Sequence, residues 1–553
     1  MKQFKKVVAI LVASILCMSA FAGCSGDEAA SGDETASSAG TAAQQTMSVN
    51  IETEPAQLNS VLVYDVPSMN ILLSVQEGLT KLDSDLNVVP AVAESWDISD
   101  DQLTYTFHLR ASEWSNGDSV TAEDFKYAWM EVLSPDSGST QASLFYVISG
   151  AQDYNLGTGS ADDVGISVID DSTLQVVLAQ PATYFLSLCA KANFLPVNEE
   201  FYESLGGSSA ESTYGTDADK LVFNGPWVMS EWSHNSEIVL TKNDNYYDKD
   251  DIKLDEINFL MVSESSTAYN MFTTGELDVI DLDSSDMIEL AEQSGYTTES
   301  FSMGSTTIMT FNTTNEIMSN ANIRKAFSYA IDRENFVTNV LKNGSHAAYS
   351  MTSPVVTTSD GEVYQELVAA DLPDVSVSEA KSYLEKGMEE LGITELPTIT
   401  FLIDDRDSIK TQAAVYQEYW KNNLGVDVEI ESMPYKSKLA KETEKDFMIS
   451  IYGWEASYND PMSMLEIFMS DNANNVTSYS NSEYDGLLEQ ARTETDTDTH
   501  YELLKEAELI LMDDAPIAPL YYSYQCYAAQ PKVQGFIRSA AQDMIFNYAY
   551  ISD

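Results

Sequence analysis

The chain has 553 residues, 44% of them apolar and 21% charged, the balance of a large globular body rather than a disordered polymer. Its 28 Lys and Arg face 88 Asp and Glu, a net charge of −60 that would repel nucleic-acid phosphates. Four cysteines and four histidines leave little material for a disulfide framework or for histidine chemistry.

In chain order, Lys2, Lys5 and Lys6 precede an apolar run from Val7 to Met18. That run is too short to span a bilayer comfortably and reads as a secretory signal. It ends at Phe21-Ala22-Gly23-Cys24, which resembles the bacterial lipobox except that Phe21 stands where Leu is preferred. The resemblance implies removal of residues 1–23 and a lipid on Cys24; the alternative, an ordinary signal cut nearby, does not account for the tether that follows. Residues 24–46 hold almost nothing to bury and are expected to stay disordered. As a flexible coil this tether reaches roughly 25 Å. Cys17 leaves with the signal, and Cys189 and Cys526 remain, free to pair or not outside the cell.

Asp83, Asp85, Asn87 and Glu94 fall at positions 1, 3, 5 and 12 of a calcium-loop pattern. The sixth position, which requires Gly, is Val88, and Pro90 interrupts, so a hairpin turn is expected instead. Leu103, Tyr105, Phe107 and Leu109 alternate with polar residues as a half-buried strand. After a turn at Asn116-Gly117, Thr121 and Asp124 open a helix whose Phe125, Ala128, Trp129 and Val132 share one face. Further on, a helix is predicted from Asn322 to Lys342, stopped by Asn343-Gly344. From Thr398 the pattern is strand, helix (Lys410–Asn423), strand (Val426–Ser432), helix, strand (Phe447–Tyr452), an α/β rhythm. Ligands of open α/β sheets sit beyond the carboxyl ends of strands, which points to Gly453–Asp460.

Catalytic chemistry finds no footing. His108, His234, His346 and His500 lie in no nucleophile elbow, zinc motif or phosphate loop, and are expected to be surface or structural. Among 88 acids no pair stands out for glycoside hydrolysis.

Seven stretches in register resemble one family, the extracellular solute-binding proteins of bacterial peptide importers (family 5, oligopeptide-binding type). They are Ala91–Trp129, "FNGPWVMSEW" (223–232), "MFTTGELDVI" (271–280), "NIRKAFSYAIDRE" (322–334), "YWKNNLGVDVEI" (419–430), "GWEASYNDPMSMLEIF" (453–468) and "DDAPIAPLYY" (513–522). The resemblance implies an α/β, two-lobed periplasmic-binding-protein-like fold with an extra subdomain in its N-terminal half and a hinge-closing cleft. The implied division is lobe I from 47–76, 188–302 and 525–553, the extra subdomain from 77–187, and lobe II from 303–524. It further implies a monomer with no metal or cofactor, lipid-anchored to the outer face of the cell membrane. Its partners would be an oligopeptide and the permease subunits of an ABC transporter.

In such proteins the peptide lies extended between two segments and is held through its backbone. By alignment these are Tyr64-Asp65-Val66 and Gly453-Trp454-Glu455, with Ser457, Tyr458 and Asn459 following, and Phe145 and Tyr146 in another cleft-lining stretch. Trp454 suits a core role equally well, and Phe145 and Tyr146 suit one better. The family's Asp before "YN", which binds the peptide ammonium, is here Ser457. A buried ammonium without its partner loses roughly 3–5 kcal/mol. Either Glu455, on the same side of the chain by strand alternation, replaces that acid, or the ligand carries no free amine there. Asp460 is expected to cap the next helix. The readings left open are a peptide receptor, a receptor of the same fold for an amine-blocked peptide, sugar or metal chelate, and a secreted hydrolase.

Overall fold

The computed structural model describes residues 44–552 apart from 85, 210, 283, 374, 375, 473, 541 and 542, and omits the side chain of 407. The signal, Cys24, nearly all of the tether and Asp85 therefore lie outside the described residues.

An eleven-stranded mixed sheet runs through the described chain. Its order is Val428–Met433, Ile399–Asp404, Ile449–Glu455, Thr298–Phe311, Ile517–Ala529, Val279–Leu282, Thr46–Asn50, Glu256–Leu260, Glu237–Lys242 and Trp227–Ser233. The short strand His346–Ala347 pairs with Ile517–Ala529 off that path. Two long antiparallel strands, Thr298–Phe311 and Ile517–Ala529, pair along most of their length. Their ladder breaks between the pairs Ser302–Tyr524 and Thr306–Tyr522, where three residues of one strand face a single residue of the other. Gly304 occupies this bulge at φ 66°, a left-handed conformation that glycine adopts without a Cβ clash.

Hydrophobic burial divides on either side of that bulge. One core gathers residues between Met47 and Phe259 with Phe301 and the 527–551 segment. Two others gather Met309 to Tyr521 and, around the helices Ser482–Thr493 and Thr497–Asp514, Ile308 to Ile517. A four-stranded antiparallel sheet (Ala93–Ile98, Thr104–Leu109, Thr173–Val177, Ile166–Asp170) shares the first core through Tyr105, Phe107, Leu174 and Val176.

Local elements follow their sequence signals with two instructive departures. The helix Ala122–Leu133 starts with a Thr121–Asp124 capping box, and Thr80–Leu82 and Val88–Pro90 form the expected hairpin. In that hairpin Asp83 accepts the Asn87 N–H at 2.9 Å, closing its own turn. The predicted Asn322–Lys342 helix is instead broken: Ala321–Tyr329 ends, Asp332 caps a new turn at Arg333, and Lys342 leaves at φ 50°. The break lets the buried Arg333 guanidinium reach the carbonyls of Ser328 and Pro519, contacts that no local pattern encodes. The last strand of the α/β run reaches Glu455 rather than stopping at Tyr452, so Gly453, Trp454 and Glu455 belong to the sheet itself. Cys189 and Cys526 are both buried and free.

Glu508 is fully buried on Thr497–Asp514, where its carboxylate accepts the N–H groups of Met351 and Thr352 and the Thr352 hydroxyl. Burial pushes its carboxyl above the ordinary glutamate range, against the pull of those donors. A raised folded value makes the ionised side chain costly at high pH and harmless near pH 4.5. Glu508→Gln keeps an acceptor for both N–H groups. It should raise the melting temperature at pH 8 by about 1–2 °C, a gain that vanishes toward pH 4.5; thermal scans across that range check it.

Candidate functional site

The strand Ile449–Glu455 begins in the core and ends in a cleft. Ile449 and Ile451 are buried, while Gly453 and Glu455 are exposed. On one side it pairs with Thr298–Phe311 along its whole length, from Ile449–Phe311 to Glu455–Ser305. On the other side, Ile399–Asp404 pairs only as far as Ser450. Among the described residues no strand covers the remaining edge, Ile451–Glu455. The Ala456 N–H donates to the Gly304 carbonyl at 3.0 Å, continuing the antiparallel ladder. Antiparallel alternation then turns the N–H and C=O groups of Gly453 and Glu455 toward the open edge. A Cβ built on Gly453 would meet nothing within 4 Å.

Beside this edge lies a cleft of about 520 Å³. Glu455 and Ser457 both line it, as strand alternation required, together with Lys191, Arg538 and Asp543. The crowding walls desolvate Glu455 and raise its carboxyl above the ordinary range; Lys191 opposes that rise and Asp543 adds to it. Asp543 is raised for the same reason, with Ser539, Lys191 and Arg538 pulling it down. Glu455 therefore already has a cationic neighbour. The buried Arg538 spends Nη2 on Asp281 at 2.8 Å and lies over the Phe301 ring, while its Nε and Nη1 have no partner among the described residues. Sequence reading missed Lys191, Arg538 and Asp543, which lie far from Glu455 along the chain and carry no motif.

The remaining predicted residues divide. Trp454 donates its indole N–H to the Ser463 carbonyl at 2.9 Å and borders the third core, so it braces the strand. Tyr458 stacks on Tyr184 with ring centroids 3.7 Å apart, and Asn459 clamps Thr357 through two hydrogen bonds. Tyr64 is 62% exposed. Asp65 is the N-cap of the helix Val66–Val75 and accepts both the N–H and the hydroxyl of Ser68. The cap starts a helix at Val66. Phe145 takes the core role its residue type suits, stacked 3.9 Å from Phe194 and edge-on to Trp129. Its neighbour Tyr146 lines a second chamber of about 630 Å³, which shares Ser457 and Tyr458 with the first.

Asp460 is buried and accepts the Met462 N–H at 2.9 Å, at the start of the helix Met462–Leu465. It also takes the Thr183 hydroxyl at 3.1 Å and His500 Nε2 at 2.9 Å. The other imidazole nitrogen faces the Ala491 carbonyl at 2.9 Å, so both ring nitrogens donate and the ring is an imidazolium. Burial is the largest single influence and opposes that charge, but Asp460, the Ala491 carbonyl and Glu494 together outweigh it and raise the His500 pKa.

The family model for bacterial extracellular solute-binding proteins, family 5 (middle), matches residues 87–476. The dipeptide-binding protein DppE of Bacillus subtilis is 37% identical over 547 residues, 97% of this chain and 97% of that protein. The oligopeptide-binding protein OppA of the same organism is 35% identical over 516 residues, 91% and 92% of the two chains. Listeria monocytogenes OppA bound to peptide superposes with a TM-score of 0.70 at 31% identity, covering 92% of this chain and 99% of that one. The unliganded open form of the murein tripeptide binding protein MppA gives 0.80 at only 26% identity, covering 92% and 98%. By shape the present structure is thus nearer to that open form than to that peptide-bound one.

Because the folded pKa of His500 is raised, its ion pair contributes fully below about pH 6.5 and is lost as pH rises through the folded value. His500→Gln should cost roughly 1–3 kcal/mol at pH 6 and clearly less at pH 9, read from chemical denaturation at the two values. Equal losses would remove the imidazolium assignment.

Proposed function

Because the chain belongs to family 5 of the bacterial extracellular solute-binding proteins, we propose that it captures oligopeptides outside the cell and delivers them to the permease of an ABC importer. It is a solute-binding protein and not an enzyme. The observation that carries the peptide reading is the uncovered edge of Ile451–Glu455, with the N–H and C=O groups of Gly453 and Glu455 turned outward. An extended peptide added there gains main-chain hydrogen bonds whatever its side chains, which suits a receptor for many sequences. Several relatives carry peptide-binding names, including the Bacillus subtilis proteins.

On this reading residues 47–76, 188–302 and 525–553 form one lobe, 303–524 the other, and 77–187 an added subdomain. The bulge at 303–305 in the two crossing strands is the natural place for them to bend. Ligand bridging both sides has more contacts in the closed arrangement, so binding shifts the population toward it. A lipid on Cys24 and the tether to 46 keep the body beside the permease.

A second reading, a ligand without a free amine at Ser457, is favoured by one observation: Lys191 lines the same cleft as Glu455 and its charge acts on that carboxyl. Calorimetric titration of the signal-less chain with one peptide pool, free and N-acetylated, decides between them. Equal or better binding of the acetylated pool is expected; binding by the free form alone would restore Glu455 as ammonium partner. Binding by neither would end the peptide reading.

Gly453→Val supplies an independent check. The new side chain has room in the free protein, so the melting temperature should hold within about 2 °C, while peptide affinity falls at least tenfold, about 1.4 kcal/mol, because the branch crowds the docking edge. Unchanged affinity would place the peptide elsewhere.

A further inference from the structure

The second chamber lies where the subdomain segments 143–152 and 179–188 face residues 457–500. Three contacts bind its two walls: Tyr184 on Tyr458, the Thr183 hydroxyl on Asp460, and the Gln102 amide donating to the Thr495 carbonyl at 3.1 Å. The chamber is therefore formed in the arrangement that resembles the open relative. At about 630 Å³ it is large enough to hold a ligand segment. Ser457 is exposed and belongs to the linings of both spaces, standing between the strand edge and the chamber.

Both cations in this lining, Arg492 and His500, are already paired. Arg492 pairs with Glu466 at 3.1 Å and with Glu489 at 2.7 Å. His500 pairs with Asp460, and Glu494 accepts the N–H groups of Thr495 and Asp496 in its own turn. What remains for an occupant is neutral apart from Glu494: the Gln152 and Gln180 amides, the Ser143 and Thr497 hydroxyls, and the rings of Tyr146 and Tyr184. A carboxylate entering here would have to break an existing pair or stay unmatched, at a cost of several kcal/mol, and an ammonium would find only Glu494, one of whose oxygens already holds two N–H groups. Peptide groups and uncharged side chains meet partners without such loss.

Resting on the peptide reading above, we infer that Ser457 does not end the ligand, and that the peptide continues past it, amino end first, into this chamber through uncharged residues. Replacement of an acid by Ser457 removes the charge that would stop an amino terminus at this point. The ligand is then a longer peptide whose central part pairs with Gly453 and Glu455 and whose amino-terminal part is wrapped by the subdomain. Selection is by length and by neutrality of that end.

The test is calorimetric titration of the mature chain with an N-acetylated hexapeptide of small uncharged residues and with the same capped peptide extended at its amino end by two and by four Gly, Ser or Gln residues. Wild type should bind the extended peptides at least tenfold more tightly than the hexapeptide. Gln180→Trp and, as a second probe from another wall, Gln152→Trp should each reduce that ratio toward one by filling the chamber. Ser457→Asp should reverse it, favouring the same hexapeptide with its amine uncapped. Equal affinity across the series in wild type, or tryptophan variants that weaken all members alike, overturns the inference while leaving the peptide reading intact. Failure of every peptide to bind overturns both.

Discussion

The structure depends on two strands, Thr298–Phe311 and Ile517–Ala529, that carry one sheet through separate cores on either side of a bulge. Backbone hydrogen bonds along nearly their whole length hold the halves in register. The interruption at 303–305 removes a few of those bonds where the cores part, and Gly304 takes the left-handed turn that a side chain would resist. A sheet continuous at both ends and weakened at one point can bend there without unfolding either core.

The same arrangement creates the binding edge. Ile449–Glu455 is anchored along one side by the crossing strand, while its other neighbour ends at Ser450. An edge strand with unpaired polar groups is a hazard in a free protein, because it invites pairing with other chains. Here the exposed part is short and set in a cleft beside charged side chains, which restricts what can reach it. On the proposed reading the hazard becomes a use, because main-chain groups would form a site that ignores side-chain identity.

Charge in the cleft is nearly self-contained. Lys191 stands by Glu455 and Asp543, Arg538 holds Asp281, and His500 and Arg492 are paired on the far side of Ser457. Desolvation makes lone charges expensive there, so a ligand held by backbone contacts and neutral groups fits without disturbing the pairs. The heavy acidity of the whole chain belongs to its surface and says little about this interior.

Much of the architecture was legible in the sequence, because local patterns carry their own physics: the capping box at Thr121 and the alternation through Tyr105 and Phe107 appear as read, and the strand leading to Gly453 was found although it runs on to Glu455. The seven motifs in register determined the family, and the Ser457 departure was visible in one letter. Other features could not be read in that way. Asp65 was taken by a helix cap, and the helix after Asn322 broke to seat Arg333. Tertiary structure alone decided that Glu455 and Lys191 line one cleft, that among the described residues no strand covers the edge beyond Ser450, and that a second chamber opens past Ser457. The reason is range: propensity, capping and periodicity act within a few residues, whereas an edge left unpaired or a charge brought beside another depends on which distant segments the fold places next to it.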